Sequence, residues 1–171
     1  MTKPTISVTK LYEQSLVERG YKADAAQLKG IAALQRCQDE WSVYKGQRSN
    51  ALTKMLRYPV LPKGVYMYGG VGRGKSFIMD CFFNAVPLQR KTRLHFHEFM
   101  REVHRQLHEL KGVQDPLEVL AKRMARKHRL ICFAGLRVAE VTVAMSLHRL
   151  LGAMFRNRMS IGTTSNFHPD E

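Results

Sequence analysis

The sequence predicts an α/β fold, a parallel sheet flanked by helices and preceded by a helical N-terminal segment. Three observations carry that prediction. After residue 61, short apolar runs alternate with stretches whose apolar residues recur every three or four positions, the pattern of successive strand–helix units. One of these runs, RLICFA (129–134), is apolar throughout, as suits a strand covered on both faces. A glycine-rich stretch, YGGVGRGKS (68–76), lies where an apolar run hands over to a helical one.

The elements follow in order. Residues 8–20 and 22–46 read as helices. In the second, Ala26, Leu28, Ile31, Leu34, Cys37, Trp41 and Tyr44 recur at helical spacing, and Asp24 stands where an N-cap belongs. Trp41 and Tyr44 are expected to pack these helices against the sheet. RSNALTKMLR (48–57) reads as a basic loop with a short helix, brought to a stop by Pro59 and Pro62. GVYMY (64–68) is a predicted strand and KSFIMDCFFNAV (75–86) a helix. TRLHFHEF (92–99) opens as a strand, and EFMREVHRQLHEL (98–110) is a helix. After a turn at KGVQDP, PLEVLAKRMARKH (116–128) is a helix with proline at its first position. The strand RLICFA, a helix at EVTVAMSLHRLLGAMFRN (140–157) and a fourth strand at RMSIGTTSN (158–166) complete the pattern. The Met and Phe residues of FIMDCFF and AMSLHRLLGAMF fall at helical spacing, which assigns them to the core.

Charge narrows the function classes. Lys and Arg total 28 against 14 acidic residues, a formal charge of +14. The excess is even along the chain: ten bases to five acids in 1–60, eight to four in 61–110, ten to five in 111–171. An even excess speaks less strongly for nucleic acid than a clustered one. The densest run, KRMARKHR (122–129), reads as a solvated helix face, with RNA or DNA binding as the alternative. Cys37, Cys81 and Cys132 form no CxxC pair and read as buried thiols of a reducing compartment. MTKPTISVTKLYEQ lacks the apolar stretch of a secretory signal, and no apolar run approaches the roughly 18 residues of a membrane span. The expectation is a soluble, cytoplasmic protein. Among seven histidines, His97-Glu98 opens an HExxH pattern that fails at its last position, so packing is the expected role rather than zinc.

The stretch Gly69-x4-Gly74-Lys75-Ser76 fits the P-loop pattern GxxxxGK[ST], with a strand before it and a helix after. In the loop of Gly69, Gly70, Val71, Gly72, Arg73 and Gly74, glycines let backbone N–H groups approach phosphate closely. Those groups, with the positive end of the helix that starts Lys75-Ser76-Phe77, cradle an anion. Lys75 is placed to reach the β- and γ-phosphates, and the Ser76 hydroxyl to ligate Mg²⁺. With glycine at about 7% of residues, chance yields the pattern in well under ~1% of chains this long. The motif therefore predicts nucleotide binding, with ATP and Mg²⁺ as cofactors. Hydrolysis needs more: an acidic pair at the end of a second buried strand, one acid for the metal shell and one to activate water. The strand RLICF is followed instead by Ala134 and Gly135, which neither ligate nor take a proton. The next acid, Glu140, lies at a helix start, where a carboxylate is favoured in any case.

At this point a resemblance adds to the reading. GVYMYGGVGRGKSFIMDCFF, KTRLHFHEFMREVHRQLHELKGVQDPLEVLA, RLICF and TTSNFHPD together resemble the ZapE-type cell-division ATPases and their mitochondrial lactation-elevated relatives, of the AAA+ P-loop class. YxxxLxxRGY followed by DxxQ, from Tyr12 to Gln27, fits as well. The resemblance implies an Mg-ATP-dependent ATPase that acts on the tubulin-like division ring in bacteria or serves inner-membrane protein quality control in mitochondria. It implies ATP/ADP and a division-ring or membrane-associated protein as partners, is compatible with an oligomer, and extends the expected location to the division site or membrane periphery. It makes Lys75 and Asn166 the catalytic candidates, Asn166 as a polar residue that senses γ-phosphate; read alone, Asn166 closes a strand end. Where the family reads CFDEF this chain reads CFAGL, so Ala134 and Gly135 replace both acids, and the next family acids fall on Glu140 and Val143. The family continues with another strand, an arginine finger and a lid. The expectation is a helical segment, 1–60, and a P-loop ATPase core, 61–171, that lacks the last strand and the lid. Two functions follow: an ATP-binding domain with weakened hydrolysis, or a non-enzymatic module that docks on a protein partner through its N-terminal helices and basic surface.

Overall fold

The computed structural model describes residues 6–70, 72, 74–137, 141–168 and 170. In chain order the elements are α1 (Val8–Arg19), α2 (Ala25–Gln47), α3 (Ala51–Leu56), β1 (Val65–Tyr68), α4 (Lys75–Ala85), β2 (Lys91–His95), α5 (Phe96–Glu109), α6 (Pro116–Lys127), β3 (Leu130–Leu136), α7 (Val141–Arg156) and β4 (Ser160–Ser165). The four strands form one parallel sheet in the order β1-β4-β3-β2. The fold is that of a P-loop NTPase. The last strand in sequence is thereby inserted between β1 and β3. All strands run the same way, so Tyr68, His95, Leu136 and Ser165 end at one rim and every strand begins at the opposite rim.

Helices cover both faces of the sheet. The alternation along β3 shows how: Leu130 and Cys132 point into one core, Ile131 and Phe133 into the other. On the first face α1, α2 and α4 bury Tyr12, Ile31, Leu34, Trp41, Met79 and Phe82. On the second, α5, α6 and α7 close over β3, with the Phe99 and Phe133 ring centres 4.5 Å apart and Phe96 edge-on to Phe133. Burying side chains of this size stabilises the fold by about 1.5–3 kcal/mol each. The three thiols are buried and free, and burial pushes Cys37 and Cys132 up to about 12.

Two details depart from the periodicity. Ala26 and Leu28 are exposed, because the core-facing stripe of α2 begins at the polar Gln27 and continues through Ile31, Leu34, Gln38, Trp41 and Tyr44. Met145 and Phe155 are exposed on α7, whose buried line runs Leu147, Leu150, Met154. Gln38 is buried for a polar reason. Its Nε2 donates to the carbonyls of Ile6 (3.0 Å) and Ala85 (3.1 Å), and its Oε1 accepts from Val8 N at 2.8 Å. One amide thus ties the start of α1 to the end of α4, where an apolar residue of the same size would leave three backbone groups unpaired.

Candidate nucleotide site

The loop between β1 and α4 is held by backbone geometry. Gly72 and Gly74 sit at φ 79° and 70°, where side chains other than glycine are strained. At Gly74 a Cβ would also lie 2.6 Å from Gln27 Nε2, so the conformation requires glycine and a larger residue would in addition displace the Gln27 amide. At Gly69, Gly70 and Gly72 a Cβ would meet nothing within 4 Å, so this side of the loop is open. Gly74 caps α4 through its backbone alone; no side chain caps the first turn. The first N–H groups and the positive helix end are therefore directed at the loop. Lys75 Nζ donates to Gly69 O at 2.7 Å and Gly70 O at 2.8 Å, which lays the ammonium across the loop mouth. Ser76 is exposed beside it. Arg93, from β2, donates to the Ser76 carbonyl at 3.4 Å and pairs with Asp80 on α4. Val71 and Arg73 lie outside the described residues.

A second feature, absent from the motif, lies next to the loop. A cleft of about 380 Å³ is lined by Arg19, Tyr21 and Gln27 on one side and by Gly72, Gly74 and Phe77 on the other. Tyr12 Oη donates to Gln27 Oε1 at 2.7 Å, fixing the amide, while burial pushes the Tyr12 phenol up. The Arg19 guanidinium lies 4.9 Å from the centre of the Phe77 ring, and Tyr12 packs against Phe77 at 5.8 Å. The end of α1, the start of α2 and the P-loop thus build one apolar-and-cationic slot. Phe77, predicted from its position in the motif, forms part of its wall.

The rim next to the loop is ordered but carries no carboxylate from β3. Ser165 pairs with Tyr68, so Asn166 directly follows the strand that neighbours the P-loop strand. The Ser165 hydroxyl donates to Leu136 O at 3.0 Å and accepts from Phe167 N at 3.2 Å, and Tyr66 Oη donates to Phe167 O at 2.9 Å. These bonds pin the turn on both sides of the exposed Asn166. On β3 the ladder shifts register between Phe133 and Leu136. Ala134 is buried beside His95, and Gly135 takes φ 69° while its N–H donates to Thr164 Oγ1 at 3.2 Å. The two residues form a bulge that requires glycine at its second position. Val143 is half-buried on α7, and Glu140 lies outside the described residues.

These residues fit a nucleoside triphosphate: an open glycine cradle, an uncapped helix N-terminus, an ammonium over the mouth and a slot beside it. For Mg²⁺ the Ser76 hydroxyl is in place, and the β3 end adds no ligand. Among the described residues no three of His, Cys, Asp and Glu gather to hold a metal, and no helix is long and apolar enough to cross a membrane.

Comparison with known proteins places this geometry in a family. A family model described as AFG1-like ATPase matches residues 5–171. The chain is 46% identical over 109 residues to the cell division protein ZapE of Escherichia coli (strain K12), covering 64% of this chain and 29% of that protein. It is 37% identical over 124 residues to lactation elevated protein 1 homolog B of Danio rerio, covering 66% of this chain and 25% of that protein. The chain thus spans between a quarter and a third of the length of these relatives. Among solved structures, AMPPCP-bound DnaA from Aquifex aeolicus is similar with a TM-score of 0.56 at 13% identity, over 98% of this chain and 44% of that one. At that identity the likeness concerns the fold, and the fold is of the AAA+ type.

Proposed function

The chain belongs to the AFG1-like ATPase family, and from that premise we propose that it is an Mg-ATP-binding AAA+ domain of cell-division type whose own hydrolysis is slow. The observation that carries the reading is a contrast at one rim of the sheet. The described residues of the β1–α4 loop have the glycines, uncapped helix start and lysine of a phosphate cradle, and the β3 end has a glycine-dependent bulge where an acidic pair belongs.

In this reading the loop N–H groups and the first turn of α4 hold the β- and γ-phosphates. Lys75 exchanges its carbonyl partners for phosphate oxygens, and the exposed Ser76 hydroxyl is the protein ligand to Mg²⁺. When bound, Mg-ATP supplies a phosphoryl group with its charge partly neutralised. The slot of Arg19, Gln27 and Phe77 receives the nucleoside, with a ring face for the base and a cation near the ribose–phosphate side. Asn166, held at the end of β4, orients water at the γ-phosphate. Among the described residues the β3 end offers that water no base, since Ala134 and Gly135 cannot take a proton. A general base contributes about 10²–10⁴ in rate, so binding persists while turnover falls by a factor of that order. Titration calorimetry with Mg-ATP and Mg-ADP tests the binding half. Saturable binding that Lys75→Ala weakens is expected; no detectable heat from the unmodified chain contradicts it.

The second reading is a non-enzymatic module that docks on a division-ring or membrane-associated protein at the division site. The missing acid pair favours it equally, as do Leu52, Met55 and Leu56, all exposed on α3. Capture of such a protein by a chain with no affinity for ATP would establish this reading in place of the first.

A further inference from the structure

The basic residues are even in sequence but not in space. Parallel strands all begin at one rim, and the residues leading into β2, β3 and β4 include Arg90, Arg129 and Arg158. Neighbouring strands lie about 4.8 Å apart, so the backbone brings these three arginines into the sheet side by side, in a row across roughly 10 Å, at the pole opposite the P-loop. Lys122 and Arg126 of α6 join Arg90 and Arg129 around an open cleft of about 390 Å³. A carboxylate beside it, Glu118, accepts from the lining residue Asn157 at 2.8 Å and pairs with Arg156. At the other end of the row, Arg48 and Arg158 both act on Tyr44.

The row is fixed in place but not neutralised. Arg90 donates to the carbonyls of Ala125 and Arg126, Arg129 to those of Asn157 and Arg158, and Arg158 to that of Pro59. Arg48 donates to Tyr44 Oη at 2.9 Å and to Lys54 O at 3.0 Å. All of these acceptors are neutral, and among the described residues none of the six cations forms an ion pair. The Nε atoms of Arg48 and Arg158 are buried without an acceptor. Burial holds the Arg129 pKa below its ordinary value; Tyr44 opposes this, and the charges of Arg90, Arg48 and Arg158 add to it. Arg158 also occupies φ 64°, a conformation non-glycine residues adopt at a cost. Its guanidinium lies 5.6 Å from the ring centre of Tyr58, which is 70% exposed.

We propose that this pole binds a single-stranded nucleic acid, its phosphates along Arg90, Lys122, Arg126, Arg129 and Arg158 and a base on Tyr58. Crowded, pre-positioned cations that outnumber the nearby carboxylate, Glu118, match a string of phosphates, whose condensed counterions are released on binding. The row is wider than one phosphate group needs. An exposed aromatic ring at the end of a cationic track is the arrangement that stacks a base without reading its identity.

The test is fluorescence anisotropy of a labelled 20-nucleotide oligo-U with the full chain over a range of salt. Mg-ATP is added in half of the samples, because the two sites lie at opposite rims. With about five phosphate contacts, log affinity should fall against log salt with a slope of about −3.5. The charge reversals Lys122→Glu and Arg126→Glu, both at exposed positions, should together weaken binding more than tenfold and flatten that slope. The pair Arg101→Glu and Lys111→Glu, exposed elsewhere, makes the same change in net charge and should leave affinity within about twofold. Tyr58→Ala should weaken binding without altering the slope. Equal losses in both reversal pairs, competition by Mg-ATP, no binding at low salt, or binding only to vesicles of anionic lipid would each overturn the proposal.

Discussion

The end of β1 and the end of β3 lie at the same rim of one sheet, two strands apart, and differ in what they need from sequence. In the proposed reading the β1 end would hold phosphate chiefly with backbone: three glycines at unusual angles, a helix start without a side-chain cap, and Lys75. The β3 end would work through two carboxylates, and in their place stand Ala134 and Gly135. A cradle made of main chain survives whatever side chains surround it, whereas a catalytic pair is lost with two substitutions. Binding and turnover are therefore separable properties of this rim.

The largest expected effect is at Lys75. Charge-assisted hydrogen bonds contribute about 1.5–3 kcal/mol, so Lys75→Ala should lower Mg-ATP affinity about 10- to 150-fold in calorimetry. Unaltered affinity would mean the cradle does not hold the nucleotide. Next come two of the left-handed glycines, one at each strand end. Gly74→Ala and Gly135→Ala each force a Cβ into a conformation that costs about 1–2 kcal/mol, a loss of about 2–8 °C in Tm for a domain of this size. Gly74→Ala should be the worse, since Gln27 must also move, and it alone should reduce ATP affinity. Equal effects on binding would erase the distinction between the two ends.

A smaller effect is expected in the slot. Phe77→Ala removes a ring face and should weaken ATP about fivefold or more while leaving inorganic tripolyphosphate unchanged. A matching loss for tripolyphosphate would place Phe77 in the phosphate cradle instead. Smallest at neutral pH is the effect of two thiols of the core on the α1–α2–α4 face. Cys37 and Cys132 are held up to about 12 when folded, above the ordinary 9 of the unfolded chain. Between those values the unfolded state has released protons that the folded state keeps, so stability should fall as pH rises from about 9 to 12. Replacing both by alanine should flatten that decline in a Tm-against-pH series and leave the series below pH 8 parallel.

Much of this rim was legible in the sequence because its signals are local. GxxxxGKS specifies a loop conformation through its own glycines, Asp24 caps α2 through its own carboxylate, and RLICFA announces a doubly covered strand. What escaped depends on register and on contacts distant in sequence. The bulge at Ala134-Gly135 exists only because β3 pairs with β4 on one side and β2 on the other. The slot beside the loop joins Arg19, Gln27 and Phe77, which are brought together by the packing of α1 and α2 on α4. The arginine row follows from parallel topology: residues 90, 129 and 158 share a rim only after the strands align. KRMARKHR, read as a solvated face, is solvated at Lys122, Arg123, Arg126 and Lys127 but ends in the half-buried Arg129.

The account turns most directly on turnover measured against occupancy. Phosphate release at saturating Mg-ATP, with bound nucleotide quantified in the same sample, should show a saturated site and a rate about 100-fold or more below that of Escherichia coli ZapE under the same conditions. A saturated site that turns over at the ZapE rate would contradict it, and would require a catalytic base outside the β3 end.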